Sequence, residues 1–172
     1  VQALEHRDME GLGALLCESH RGLRDDYQVS CPEVDFLSVQ FYADIVNLQQ
    51  RLKDAGWEGP YMVTEWGATG HWEVPAKPWG ASPEQTSREK AAAFMDRYHR
   101  AILADPNKCL GSYVFLWGQK QERTPTWYGM FLESGEETET VDAMHYLWNG
   151  EWPKNRCPSL KSLKLNVITK SD

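Results

Sequence analysis

The sequence predicts an α/β fold of parallel strands joined by crossover helices. Two observations carry this. Strand-like apolar runs and helical periodicities alternate as strand, helix, strand, helix, strand, helix, an order that favours parallel pairing through right-handed connections. The helix-to-strand connections are short (Gly56 to Pro60, Asp105 to Leu110), whereas those after Glu65 and Trp117 are long, at or beyond the ~12–15 residues at which loops are usually functional.

Taken in order, Asp8 to Asp26 reads as a helix with Leu12, Leu15 and Leu16 at helical spacing, weakened by Gly11, Gly13 and Gly22. Asp35 to Tyr42 reads as a strand. Asp44 to Ala55 places Ile45, Leu48 and Leu52 on one helical face and is closed by Gly56 and Pro60. A strand then ends at Glu65. Ser82-Pro83-Glu84-Gln85 offers an N-cap, a first-turn proline and a capping-box glutamine for a helix whose apolar face runs through Phe94, Met95, Tyr98 and Ile102. That helix stops before Asp105-Pro106-Asn107, Gly111 to Trp117 is the third strand, and Glu137 to Trp148 is a last helix with Val141, Met144 and Trp148 inward.

The long loops place a site on one rim. A (β/α)8 barrel builds its active site this way at the C-terminal ends of its strands, and an open doubly wound sheet obeys a similar rule. Three strands cannot close a barrel of eight and would leave both outer strands unpaired. The chain is therefore expected to be the C-terminal portion of a larger barrel, with the missing N-terminal half as its structural partner. Residues 1–152 would form this part. Residues 153–172 would be a linker, through Trp152 to Pro158, and the first strand of a following β-domain, with Leu160, Leu163, Leu165 and Val167.

Composition narrows the function. The 172 residues are 41% hydrophobic and 25% charged, which is globular in class. A net charge of −7 with scattered Lys and Arg argues against a nucleic-acid partner. No apolar run approaches the ~20 residues of a membrane span. Cys17, Cys31, Cys109 and Cys157 lack paired zinc or redox spacing, and His6, His20, His71, His99 and His145 are dispersed. The cysteines read as structural, and their spacing does not choose between reducing and oxidising compartments.

The most specific segment is Tyr61-Met62-Val63-Thr64-Glu65-Trp66-Gly67. It delivers a carboxylate and an indole into a glycine break, which suits carbohydrate chemistry because the ion supplies charge and the ring stacks on a pyranose. The plain alternative is a buried strand ending on an exposed Glu. In the following loops His71 could bond a sugar hydroxyl, Trp66 could stack on sugar or pack into the rim, Gln119 to Arg123 could supply hydrogen bonds, and Trp127-Tyr128 a further stacking surface. Trp79 reads as an anchor of its own loop.

Phe41-Tyr42, Thr64-Glu65-Trp66-Gly67, Gly70-His71-Trp72-Glu73 and Phe115-Leu116-Trp117-Gly118 together resemble the last three strands of retaining β-glycosidases with a (β/α)8 (TIM) barrel. The resemblance covers roughly Val34 to Pro158, and within that superfamily it is closest to bacterial glycoside hydrolases whose barrel precedes a β-sandwich. It implies strands six to eight of the barrel, with Glu65 as nucleophile, Tyr42 orienting it, and Trp117 flooring the subsite. His71, Trp72, Trp66 and Gln119 are the further candidates for contact with an oligosaccharide or polysaccharide substrate. The implied activity is retaining double displacement on a β-linked glycan such as β-glucan, or transglycosylation by the same residues, without a cofactor. The chain departs from that pattern in lacking the Asn-Glu acid/base pair. Retaining hydrolysis needs a second carboxyl group about 5–5.5 Å away, and Glu73 and Glu122 have no strand end to fix them, so the chain alone is expected to be inactive. A reading from another class is a non-catalytic carbohydrate-binding or interaction protein with a vestigial site.

Overall fold

A computed structural model describes residues 36–160 together with Ser162 and Lys164. The expected helix over Asp8 to Asp26 lies outside the described residues, as does nearly all of the expected strand after Leu160. Within them the fold is α/β, built on a three-stranded parallel sheet in the order β1-β2-β3. The strands are β1 Leu37–Gln40, β2 Tyr61–Gly67 and β3 Cys109–Phe115. The parallel alternation is thus present, whereas closure into a barrel is not among the described elements.

After β1 the chain turns through a 3-10 helix, Ala43–Asn47, into α1, Leu48–Asp54. Together these take the place of the single helix expected from Asp44. Ile45, Leu48 and Leu52 pack on the sheet with Tyr61 and Val63, all buried. Helix α2 spans Ser87–Arg97 and passes into a π-helical turn, Tyr98–Ile102.

The start of α2 corrects the expected cap at Ser82. Thr86 is the N-cap; its hydroxyl accepts from Glu89 N while the Glu89 carboxylate reaches back to Thr86 N, a reciprocal capping box. The preceding segment is cross-linked elsewhere, because the Glu84 carboxylate is committed to side chains of a distant loop. The face of α2 also differs from the apolar stripe expected. Its buried residues are Lys90, Phe94 and Arg97.

Strand β3 ends two residues before Trp117 because Leu116 pairs sideways: its N–H donates to Tyr128 O at 3.1 Å and its carbonyl accepts from Met130 N at 3.1 Å. The loop thus folds back on the strand end and leads into α3, Glu139–Asn149. Val141 and Met144 are buried as expected, but Trp148 is half exposed. Helix α3 stops at Gly150, whose φ of 77° is the left-handed C-cap conformation that glycine adopts without steric cost.

A bulge in β2 positions everything that follows. Strict alternation would put Glu65 on the same face as Tyr61 and Val63. Both ladders instead shift register here, Val39 pairing with Val63 but Gln40 with Glu65, and Val63 with Ser112 but Trp66 with Val114. The extra residue re-aims the side chains: Trp66 joins Tyr61 and Val63 in the core, and Glu65 faces the cleft.

Candidate functional site

The C-terminal ends of β1, β2 and β3 open on a cleft of about 440 Å³ lined by Gln40, Tyr42, Glu65, Trp72, Phe115, Lys120 and Glu122. At its base the Tyr42 hydroxyl donates to Glu65 Oε1 at 2.5 Å. Burial first, then this carboxylate, push the Tyr42 phenol well above its ordinary range, so Tyr42 keeps its proton and acts as the donor. Among the described residues only Tyr42 donates to the Glu65 side chain, leaving its second oxygen toward the cleft. Trp72 stands edge-on to Tyr42 at 5.2 Å between centroids, and Tyr128 stands edge-on at 5.7 Å.

The loop after β2 is held by an acid whose role the sequence did not reveal. Glu73 accepts from Ala43 N at 3.0 Å with each oxygen, from Gly70 N at 2.6 Å and from Asp44 N at 3.4 Å. It staples the loop after β2 to the first turn of the 3-10 helix, with both oxygens engaged by backbone N–H groups. Glu122 pairs with Lys120 at 2.6 Å and lies 3.8 Å from His71 Nδ1; the Lys120 bond holds its carboxyl below the ordinary range.

His71 lies beside the cleft, bonded to Tyr128. Tyr128 Oη accepts from His71 N at 3.1 Å and lies 3.0 Å from His71 Nδ1. The phenol oxygen can accept from Nδ1 or donate to it, so which atom carries the proton of this bond follows the imidazole tautomer.

The expected site residues therefore separate. Tyr42, Glu65 and Trp72 line the cleft together, with His71 bonded behind it through Tyr128. Trp66 is 0% exposed and packs against Phe94 and Tyr98, so its indole has no face to offer a sugar. Trp117, 53% exposed, lies against Phe131 and Trp148 and is not among the residues lining the cleft. Gln119 is exposed and reaches only Pro125 O at 3.5 Å. Trp127 and Tyr128 are buried ties between loops, and Trp79 stands in solvent.

Among the described residues no group of three or more His, Cys, Asp or Glu is placed to hold a metal ion, and no helix is long and apolar enough to cross a membrane. Cys109 and Cys157 are free thiols.

No protein-family model matches the chain. The relatives found include galactokinases. The human galactokinase is 60% identical over 35 residues, covering 20% of this chain and 9% of the relative. The galactokinase of Thermotoga maritima is 43% identical over 63 residues, 37% of this chain and 18% of the relative. That of Roseiflexus sp. (strain RS-1) is 46% identical over 57 residues, 33% and 15% respectively. The chain thus spans less than a fifth of the length of these relatives.

This similarity is to sugar kinases and overturns the assignment to retaining β-glycosidases, together with the hydrolase activity, the enzyme class and the transglycosylase variant that followed from it. The geometry agrees on one point: of the two loop acids considered as a second carboxyl group, Glu73 is saturated by backbone N–H groups and Glu122 is paired with Lys120.

Proposed function

We propose that the cleft around Glu65 binds a sugar and that the chain serves in sugar phosphorylation, with galactose as the first ligand to test. The observation that carries this reading is the 2.5 Å bond from Tyr42 to Glu65 in a cleft rimmed by Trp72 and Phe115. A sugar offers hydroxyl donors around its edge and an apolar ring face. A carboxylate with one oxygen held by a phenol and the other open accepts such donors, and adjacent rings cover the apolar face. The short similarity to galactokinases favours phosphoryl transfer over binding alone. In that chemistry a carboxylate that accepts the proton of the attacking hydroxyl is a recurring part, and Glu65 is the candidate in this cleft.

The sheet is proposed to be one arc of a larger parallel α/β sheet. Its support is that β1 and β3 each pair on one side only among the described residues, an arrangement that stable proteins cover. A (β/α)8 closure, in which these would be about strands six to eight, is one form such a sheet takes.

The test is calorimetric titration of the 172-residue chain with galactose and with glucose and cellobiose, followed by ATP-dependent phosphorylation of whichever sugar binds. Saturable binding that weakens about tenfold or more in Glu65→Ala is expected, since a charge-assisted hydrogen bond is worth ~1.5–3 kcal/mol. No saturable binding of any of the three, or binding unchanged by Glu65→Ala, would overturn the reading. Binding without phosphate transfer would reduce it to sugar recognition.

A further inference from the structure

Helix α2 buries two cations on its core-facing stripe. Lys90 and Arg97 are 6% and 7% exposed, seven residues apart and so two turns along one face, with Phe94 between them. Buried cations are costly unless bonded, and each of these is bonded to a different loop of the cleft. Lys90 Nζ pairs with Glu84 and donates to Thr126 O at 2.6 Å. Glu84 in turn accepts from Thr124 Oγ1 at 2.6 Å and from Thr126 Oγ1 at 2.9 Å. This knot fixes the segment that carries Glu122, Trp127 and Tyr128. Arg97 donates to Gly67 O at 2.5 Å and to Thr69 Oγ1 at 2.7 Å, which fixes the loop leaving β2 directly after Glu65.

The two loops are tied to each other only a few residues away. Trp127 Nε1 donates to Thr69 O at 2.9 Å, and Tyr128 meets His71. We propose that Lys90 and Arg97 are a pair of positioning residues: through their separation along α2 they set the distance between the Glu65 loop and the Tyr128–Glu122 loop, and with it the width of the sugar cleft. Neither residue lines the cleft, so they act through the loops they hold. The inference rests on the sugar-cleft reading.

The experiment compares Arg97→Met and the double variant Lys90→Met/Glu84→Gln, which leaves no buried charge stranded, with the wild-type chain. Galactose, glucose and cellobiose affinity is measured beside the thermal midpoint, and the ring ¹⁵N shifts of His71 report whether its bond to Tyr128 is kept. Thr86→Ala, which removes only the helix cap, supplies a matched loss of stability. Both clamp variants are expected to weaken binding about tenfold or more, because sub-ångström displacement of a binding group suffices for such losses, and to shift the His71 ring signals away from their wild-type positions. Thr86→Ala should lower the midpoint with affinity and His71 signals unchanged. Arg97→Lys should recover affinity only in part, since an ammonium does not reproduce the forked contact with Gly67 and Thr69.

Clamp variants that bind like wild type, or a Thr86→Ala variant that loses affinity in proportion to its midpoint, would overturn the proposal. If Arg97→Met does not fold, Thr69→Val and Thr124→Val delete one clamp contact each and are read the same way. A wild-type chain that binds none of these sugars removes the sugar reading instead, while the His71 signals still report on the clamp.

Discussion

Replacing Lys90 by Met should cost more stability than replacing Lys90 and Glu84 together. The single change deletes the ion pair and the donor to Thr126 O, and leaves a carboxylate whose side chain is only 20% exposed. Breaking a buried pair from one side typically costs ~3–5 kcal/mol, and the two threonine hydroxyls that remain on Glu84 place this case near the lower end. A loss of about 3 kcal/mol corresponds to a fall of roughly 6–12 °C in midpoint for a chain of this size. With Glu84→Gln added, no charge is stranded and the residual cost is one unpaired carbonyl, about 1 kcal/mol.

Circular dichroism melts and urea titrations at pH 7 give both numbers. Acid supplies an independent check. Burial would raise the Glu84 carboxyl, but bonds from Lys90, Thr124 and Thr126 outweigh it and leave it below the ordinary value. A carboxyl depressed on folding contributes stability that is present above its unfolded pKa and lost as pH falls through its folded pKa. Wild-type stability should therefore drop below about pH 4.3, the unperturbed glutamate value, and the double variant should lack that part of the drop. Equal losses in single and double variants at pH 7, with the same acid slope as wild type, would refute the reasoning.

Gly67→Ala should prevent folding: a Cβ there would lie 2.0 Å from Phe115 O, across the β2–β3 ladder where Gly67 pairs Phe115, and loss of dispersed amide NMR signals is the readout. Glu73→Ala should destabilise by on the order of 2–4 kcal/mol, since the backbone N–H groups of Ala43 and Gly70 lose their acceptor, at ~1–3 kcal/mol for the buried Gly70 and about 1 kcal/mol for the half-buried Ala43; faster hydrogen exchange at those two amides tests it. Tyr42→Phe should leave the fold intact and weaken sugar binding about tenfold, because Glu65 loses the donor that fixes its rotamer. Unchanged affinity in that variant would remove Tyr42 from the site.

Much of the fold is visible in the residues and much of the site is not. Ile45, Leu48 and Leu52 declared their helical face, and the apolar runs around Val39, Val63 and Val114 declared the strands, because burial in both cases follows a simple period. Helix α2 hid two of its three buried residues. Nothing local marks Lys90 and Arg97 as interior; only the distant acceptors Thr126 O, Gly67 O and Thr69 Oγ1 make them so, and no local pattern encodes a partner thirty residues away. The cap at Thr86 was masked by Ser82-Pro83, a cap-like signal that Glu84 overrides through its tertiary bonds. Trp66 and Trp117 mislead for the same reason: an indole beside a strand end is compatible with core, rim or ligand, and the bulge and the returning loop decide which.

The bulge also explains why Glu65 is available at all. In strict register its carboxylate would sit with Tyr61 and Val63 in the apolar cluster of Ile45, Leu48 and Phe94, where Lys90 and Arg97 are already committed to other acceptors, and an unpaired buried carboxylate is not sustained near neutral pH. Shifting one residue places Trp66 in that apolar space and turns Glu65 to the side where Tyr42 donates to it. The strand therefore gains core volume and a presented carboxylate from the same irregularity. Any substitution that restores regular pairing at Thr64–Glu65 should lose both together, which separates a site built into the sheet from a glutamate that merely lies at its end.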